Sequence, residues 1–251
     1  MKIKGVLLDL SGTLYQGREA IPGALEAIAD LVRSGLPIRY VTNTSRVPAN
    51  TVWQKLSKLG FSIDPDDIFT APQAVKRYLA ERQLRPYLLI HPELEVEFSD
   101  LPQARPDSVV VADAAEAFSY SNLNQAFRLL LDGAQLVAVG DNRYFRDEHG
   151  MNLDAGPFIR ALEYAVGCQA TYLGKPAPAF FLAALSDFGC RPDEVLMVGD
   201  DVFADVNGAL KAGLQGALVK TGKYRAGDER HLSGDAMVAA DLRQVVARLL
   251  G

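Results

Sequence analysis

Strand-like and helix-like segments alternate along the first sixty residues, and this alternation strongly constrains the fold. An apolar run that ends at Asp9 is followed by a helical pattern over 22–34. Gly35 then stands where this helix is expected to end. A second apolar run over 38–42 and a second helical pattern over 48–59 follow. Strands joined through crossover helices run parallel to one another. The sequence therefore predicts an α/β fold with a parallel sheet.

A second alternating series interrupts the first. Its predicted elements are strands at 87–90, 108–111 and 135–139, helices at 122–131 and 158–166, and polar loops at 92–107 and 141–153. Short apolar strands that suit a sheet core return at 195–198 and 216–219. Because polar breaks interrupt the middle series, we predict an inserted α/β domain over 77–172 with its own small core. The Rossmann-like parallel-sheet core then comprises 1–76 and 173–251.

The composition is that of an ordinary globular protein and excludes several classes of function. The chain has 251 residues, 49% of them hydrophobic and 23% charged. A net charge of −5 provides no basic face for a nucleic-acid backbone. No apolar run is long enough for a signal peptide or a membrane span, so we expect a cytoplasmic protein. Cys168 and Cys190 lack metal or redox spacing and are expected to be free thiols.

Polar groups stand just after predicted strands at four places. They are Asp9 with Ser11, Gly12 and Thr13; Thr42 with Asn43; Lys175; and Asp200 with Asp201 and Asp205. Because the carboxyl ends of parallel strands meet at one edge of a sheet, we expect these groups to converge in one crevice.

Each of these residues also has a purely structural interpretation. Asp9 is consistent with an acid that caps a turn, and Lys175 with a solvated surface lysine. The acids at 200, 201 and 205 are consistent with cap and first-turn residues that complement a helix dipole. Their joint placement at strand ends favours a shared site.

Such a site suits phosphoryl transfer. Clustered carboxylates repel one another unless a cation neutralises them, and Mg²⁺ prefers oxygen ligands. Lys175 and Thr42 provide a charge and a hydrogen bond for phosphoryl oxygens, and Gly12 lets the backbone approach them. Asp9 is then the nucleophile, which forms an aspartyl phosphate that water hydrolyses.

Four motifs carry a resemblance to a known family. They are Asp9-Leu10-Ser11-Gly12-Thr13, Val41-Thr42-Asn43, Gly174-Lys175-Pro176, and Gly199-Asp200-Asp201 with Asp205. They resemble the motifs of the haloacid dehalogenase-like hydrolase superfamily, and the insert resembles the type-II cap of its nitrophenyl-phosphatase-like branch. Within that branch the chain is similar to the group of phospholysine phosphohistidine inorganic pyrophosphate phosphatases, in part through the segments 85–91, 117–120, 153–157 and 220–224.

The resemblance implies roles for the matching residues. Asp9, Ser11 through its carbonyl oxygen, and Asp200 would bind Mg²⁺, and Asp201 and Asp205 would support the ion from the same side or through water. The phosphoryl group would contact Ser11, Gly12, Thr42, Asn43 and Lys175, of which Thr42 and Lys175 count as catalytic together with Asp9. The partners implied are a small phosphorylated substrate and a second copy of the chain, bound through the cap.

Ser11 departs from the family pattern, in which most phosphatases have an aspartate that acts as acid and base. A serine hydroxyl does not exchange protons usefully near neutral pH. Alkyl phosphates, which need a proton on the leaving oxygen, should therefore react poorly. Substrates with P–N or P–O–P bonds should be favoured.

The inserted domain offers a basic and aromatic loop as a candidate for substrate selection. It contains Arg143, Tyr144, Phe145, Arg146 and His149, and it is equally consistent with a solvated surface loop. The apolar residues Phe118, Tyr120, Leu123 and Phe127 fit either a dimer contact or the core of the insert. His91, His149 and His231 show no metal spacing, and we interpret them as structural.

Two other functions share part of this pattern. A signalling receiver also uses an acidic cluster, a threonine and a lysine, but it would normally be about half this length and lack the insert. A phosphate-sensing or interaction protein that kept the fold and lost turnover with the change at Ser11 is the second alternative. Turnover of pyrophosphate with Mg²⁺, compared with EDTA, distinguishes these possibilities.

Overall fold

The computed structural model describes residues 2–147 and 150–251, without the side chains of residues 146 and 147. Within these ranges the strands are β1 (Gly5–Asp9), β2 (Tyr15–Gln16), β3 (Glu19–Ala20), β4 (Ile38–Thr42), β5 (Ile68–Thr70), β6 (Pro86–Leu89), β7 (Ser108–Val111), β8 (Gln135–Ala138), β9 (Tyr144–Asp147), β10 (Gly150–Leu153), β11 (Thr171–Tyr172), β12 (Val195–Gly199), β13 (Gln215–Val219) and β14 (Met237–Ala239). The α-helices are α1 (Ala24–Ser34), α2 (Ala49–Lys58), α3 (Ala71–Glu81), α4 (Tyr120–Leu131), α5 (Ala155–Val166), α6 (Pro178–Ala184), α7 (Gly208–Lys211) and α8 (Leu242–Leu250). A π-helical turn, Val202–Asn207, leads into α7.

The chain forms two compact units. The first comprises Met1–Thr42, Ala49–Phe69 and Lys175–Gly251, and the inserted unit comprises Asn43–Pro48 and Thr70–Gly174. The insert was predicted over 77–172. The inserted unit starts earlier because helix α3 packs against the 3₁₀ turn Pro92–Phe98. It takes in the short segment 43–48, whose Arg46 forms an ion pair with Asp113.

The first unit is built on a parallel sheet, which confirms the predicted α/β fold. Its strand order is β14-β13-β12-β1-β4-β5. Strand β1 lies inside the sheet, with Leu8 opposite Val198 on one side and Tyr40 on the other. All five residues of β1 are buried, as expected for a strand covered on both faces. Its last residue therefore reaches the sheet edge from the middle of the core.

Helix α1 shows how the sequence pattern produces this packing. Its apolar stripe buries Ile28 and Leu31, and the helix packs against α8. The predicted stop at Gly35 is present, because this residue adopts φ 72° and its N–H donates to the carbonyl oxygen of Val32.

The inserted unit has its own parallel sheet, in the order β11-β8-β7-β6, and helices α4 and α5 pack together beside it. Phe118, Leu123 and Phe127 pack against the core of this unit, and the Phe118 ring stacks on Phe158 at 3.8 Å. Tyr120, by contrast, is 83% exposed. Three of the four residues considered for a dimer contact thus contribute to the core of the unit, and the dimer stays a prediction.

The segment 141–153, predicted as a loop, instead contains the antiparallel pair β9–β10. Its strands lack a continuous apolar run because they are largely exposed: Tyr144, Met151 and Leu153 are each more than half accessible. The guanidinium of Arg46 lies over the Phe145 ring at 4.5 Å. His149 and the side chain of residue 146, both included in the predicted basic loop, lie outside the described part of the chain.

Other expectations concern single residues. Both cysteines are free thiols. The Nδ1 atom of His91 accepts a hydrogen bond from the N–H of Glu93 at the start of a 3₁₀ turn, a structural role. Among the described residues, no helix combines the length and the apolar character that crossing a membrane requires.

Candidate active site

The candidate site lies at the carboxyl edge of the first unit's sheet. Asp9 is the last residue of β1 and stands opposite Val41 in β4. On the other side β12 ends at Gly199, so that Asp200 leaves the sheet beside Asp9. The parallel register therefore brings two acids that are distant in sequence to one place.

Lys175 connects the acids of this edge. Its ammonium Nζ donates to Oδ1 of Asp9 at 2.5 Å and to Oδ1 of Asp205 at 2.7 Å. The Lys175 side chain is only 4% exposed. A buried lysine with two carboxylate partners is not a solvated surface residue, so that alternative is wrong.

Three carboxylates form a compact group. Ligand oxygens of Asp9, Asp200 and Asp205 lie within 4.8 Å of one another, and all three residues are buried. Gly199 allows this closeness, since a Cβ there would stand 2.3 Å from Oδ2 of Asp205. An all-oxygen donor set of this kind fits a hard divalent cation such as Mg²⁺.

Burial determines the electrostatics of the group. It raises the pKa of Asp200 and that of Asp205 to about 6. Burial also raises the pKa of Asp9, against the opposing effect of the Lys175 charge. Burial favours the neutral form of Lys175, but Asp205 and Asp9 outweigh it and raise the lysine pKa. A bound cation would therefore stabilise the ionised form of these carboxylates.

Asp201 has a different position from the other acids. Its Oδ1 accepts hydrogen bonds from the N–H groups of Phe203 and Ala204, so it caps the π-helical turn. Burial would raise its pKa, but these bonds and Lys223 hold the pKa below its ordinary value. The capping interpretation therefore fits Asp201. It does not fit Asp205, whose carboxylate is held by Lys175 and by the N–H of Asp201.

The turn after β1 contains Ser11 and Gly12, which were predicted to contact the phosphoryl group. Gly12 adopts φ 97°, and a Cβ there would lie 2.1 Å from Oδ2 of Asp200, so only glycine fits. Ser11 is exposed. The Oγ1 atom of Thr13 is buried with no hydrogen-bond partner among the described residues.

Thr42 and Asn43 separate at the end of β4. Thr42 is the last residue of that strand and is half-buried in the first unit. Asn43 belongs to the inserted unit, where its Oδ1 would stand 3.0 Å from a Cβ at Gly174. The first unit therefore contains every predicted site residue except Asn43.

The loop after β13 also contributes to the site, although its residues were not among the predicted site residues. The backbone N–H of Lys223 donates to Oδ2 of Asp200 at 2.6 Å. The hydroxyl of Thr221 donates to the carbonyl oxygen of Gly12 at 2.5 Å. The signal was available, because β13 was predicted and Lys220 to Tyr224 directly follow its end.

Gly222 makes this loop fit, and we expect the Gly222→Ala variant to lose at least about 3 kcal/mol of unfolding free energy. A Cβ there would stand 2.2 Å from Oδ2 of Asp200 and 2.4 Å from Cα of Gly12, at a φ of +59°. Gly17→Ala is a matched control, since its φ is +62° but a Cβ there would meet nothing within 4 Å. It should lose only about 1–2 kcal/mol. Urea unfolding measures both, and equal losses would refute the steric argument.

Known proteins match this chain along nearly its whole length. Residues 6–101 match the sequence profile of a haloacid dehalogenase-like hydrolase family, and residues 172–245 match a second, HAD-hydrolase-like profile. The chain is 47% identical over 227 residues to haloacid dehalogenase-like hydrolase domain-containing protein 2 of Bos taurus, covering 90% of this chain and 88% of that protein. It is 42% identical over 236 residues to phospholysine phosphohistidine inorganic pyrophosphate phosphatase of Xenopus laevis, covering 91% and 87%.

A solved structure also resembles the fold. The 4-nitrophenylphosphatase of Thermotoga maritima superposes with a TM-score of 0.88 at 26% identity, covering 98% of this chain and 97% of that one. The resemblance drawn from the four motifs is confirmed by these matches. They give no support to the receiver interpretation.

Proposed function

Since the chain belongs to the haloacid dehalogenase-like hydrolase family and is a phosphatase, we propose that it hydrolyses small phosphorylated or pyrophosphate-type substrates with Mg²⁺ through an aspartyl phosphate on Asp9. The observation that carries this proposal is the buried Lys175, held between the carboxylates of Asp9 and Asp205. It fixes an acid beside a permanent positive charge at the sheet edge. Asp9 as the nucleophile and Lys175 as the positive charge for the phosphoryl group thus lie side by side.

Asp9 begins the reaction. A carboxylate oxygen forms a bond to phosphorus while the bond to the leaving group breaks, and the leaving group departs with the electron pair. Water then attacks phosphorus in the aspartyl phosphate, which releases inorganic phosphate and restores the carboxylate. Lys175 stays charged throughout and offsets the charge on the phosphoryl oxygens.

The residues proposed to hold Mg²⁺ are Asp9, Ser11 through its carbonyl oxygen, and Asp200, with Asp205 and Asp201 in support. The oxygen donor set and the raised pKa values of Asp200 and Asp205 support this assignment. When bound, the ion supplies positive charge to the phosphoryl group and relieves the repulsion among the carboxylates. Gly12 and Thr42 are proposed to contact the phosphoryl oxygens, and the role of Asn43 stays a prediction from the resemblance.

Ser11 limits the range of good substrates. It offers no carboxyl group to protonate a leaving alkoxide. Phosphate leaving from pyrophosphate, and nitrogen leaving groups that carry their own proton, need this help least. The name of the Xenopus laevis relative describes substrates of these types, which supports the same substrate class here.

Turnover of pyrophosphate tests the proposal directly. We expect phosphate release with MgCl₂ and its loss with EDTA, together with slower release from an alkyl phosphate. A protein that binds phosphate without turnover would release none under either condition.

The Asp200→Asn variant tests the metal assignment. We expect it to raise the Mg²⁺ concentration for half-maximal pyrophosphate hydrolysis by about 10- to 100-fold, because an amide is a weaker ligand than a carboxylate. Asp193→Asn, in the partly exposed 3₁₀ turn before β12, is the matched control and should leave the titration unchanged. A Mg²⁺ titration of Asp200→Asn that superimposes on the wild type would remove Asp200 from the ligand set.

A further inference from the structure

Lys223 places a second positive charge at the acidic cluster, and the mechanism above gives this charge no role. Its ammonium Nζ lies 3.4 Å from Oδ2 of Asp201, and its side chain is 72% exposed. Lys175, in contrast, is buried and bonded to two carboxylates. One lysine is therefore buried within the cluster, and the other is exposed beside it.

The backbone keeps the Lys223 side chain beside the cluster. The Lys223 N–H is bonded to Asp200, and the neighbouring Thr221 hydroxyl is bonded to the backbone of Gly12. Gly222 between them packs directly on both partners. The side chain thus starts from a fixed point at the site, even though most of it is exposed.

The charges at this edge of the sheet do not cancel. Four carboxylates stand there, those of the clustered acids Asp9, Asp200 and Asp205 and that of the neighbouring capping acid Asp201. In the described part of the chain, ion pairs join Lys175 to two of them and Lys223 to a third. An added divalent cation is attracted by the remaining negative charge and repelled by Lys223.

We propose that the side-chain charge of Lys223 weakens Mg²⁺ binding and so sets the Mg²⁺ concentration that is needed to occupy the site. This inference rests on the proposed function, because it assumes a divalent cation at Asp9 and Asp200. The lysine and the ion are both attracted by the negative charge of the carboxylates, but the lysine does not take the place of the ion among its ligands. Because the ammonium is exposed, its effect is screened by salt.

The test measures Mg²⁺ binding by calorimetry, with MgCl₂ as the only ligand, and does not depend on turnover. At low ionic strength the Lys223→Gln variant should bind Mg²⁺ about 3- to 10-fold more tightly than the wild type. The difference should shrink as NaCl is added. The Mg²⁺-dependent rise in melting temperature should begin at a correspondingly lower concentration.

Two variants serve as controls. Lys223→Arg keeps the charge and should bind Mg²⁺ like the wild type. Lys220→Gln removes a charge from the same loop, but Lys220 is paired at 3.8 Å with Glu229 and not with the cluster. It should also leave the affinity unchanged, and unfolding curves verify that all variants are folded.

The outcomes separate this inference from the proposed function. If the wild type shows no Mg²⁺ binding, both fail. If the wild type binds and Lys223→Gln binds equally or more weakly, the inference about Lys223 is overturned while the metal site stands. Equal tightening in Lys220→Gln would also overturn it, since net surface charge would then be the cause.

Discussion

Replacing Asp9 with asparagine is expected to reduce pyrophosphate hydrolysis by at least about three orders of magnitude, because the amide does not attack phosphorus. The substitution preserves the size of the side chain. A second consequence is weaker metal binding, since one carboxylate leaves the oxygen donor set. Phosphate release at saturating Mg²⁺ measures the chemical loss separately from this effect.

Asp30→Asn, on the exposed face of α1, controls for the loss of one carboxylate elsewhere in the same unit. It should keep full activity. Circular dichroism should show that both variants are folded. More than a few per cent of wild-type turnover in Asp9→Asn would exclude Asp9 as the nucleophile.

The Ser11→Asp variant is expected to gain activity on alkyl phosphates. General acid–base assistance is worth about 10²–10⁴-fold, so a partly productive carboxylate should raise turnover of glycerol phosphate by about 10²-fold. Turnover of pyrophosphate should change far less, because its leaving group does not need the proton. The residue is exposed, so the longer side chain has space.

Ser11→Asn is the matched control, with the shape of aspartate but no proton to exchange, and it should give no gain. Both variants are compared with the wild type at saturating Mg²⁺, because the added charge of aspartate is expected to tighten metal binding. An equal gain on both substrates, or a loss on both, would mean that proton transfer comes from another group.

Much of the architecture could be predicted from the sequence because parallel strands buried on both faces leave continuous apolar runs. Strands β4 and β7 begin and end at the predicted residues. Strands β5 and β14, of three residues each, are too short to show a pattern. The hairpin β9–β10 was missed because none of its described side chains is buried.

The residues of the candidate site could be predicted from their positions at strand ends, but the hydrogen bonds and ion pairs that join them could not. Lys175 and Asp205 are 30 positions apart, and no local pattern indicates that they form a buried ion pair. The sequence also did not distinguish the capping acid, Asp201, from the clustered acid, Asp205. That difference arises from the π-helical turn, in which the carbonyl oxygen of Asp201 accepts hydrogen bonds from the N–H groups of Asp205 and Val206.

The central position of β1 has a consequence for folding during synthesis on the ribosome. Strand β1 is made first and can pair early with β4, but its other neighbour, β12, is made much later. At ribosomal rates of 5–20 residues per second, one edge of β1 waits roughly 10–40 s for its partner. During this time one edge of a strand that is apolar up to Asp9 is open to wrong pairing. Chaperone demand should therefore peak before residues 195–199 leave the ribosome.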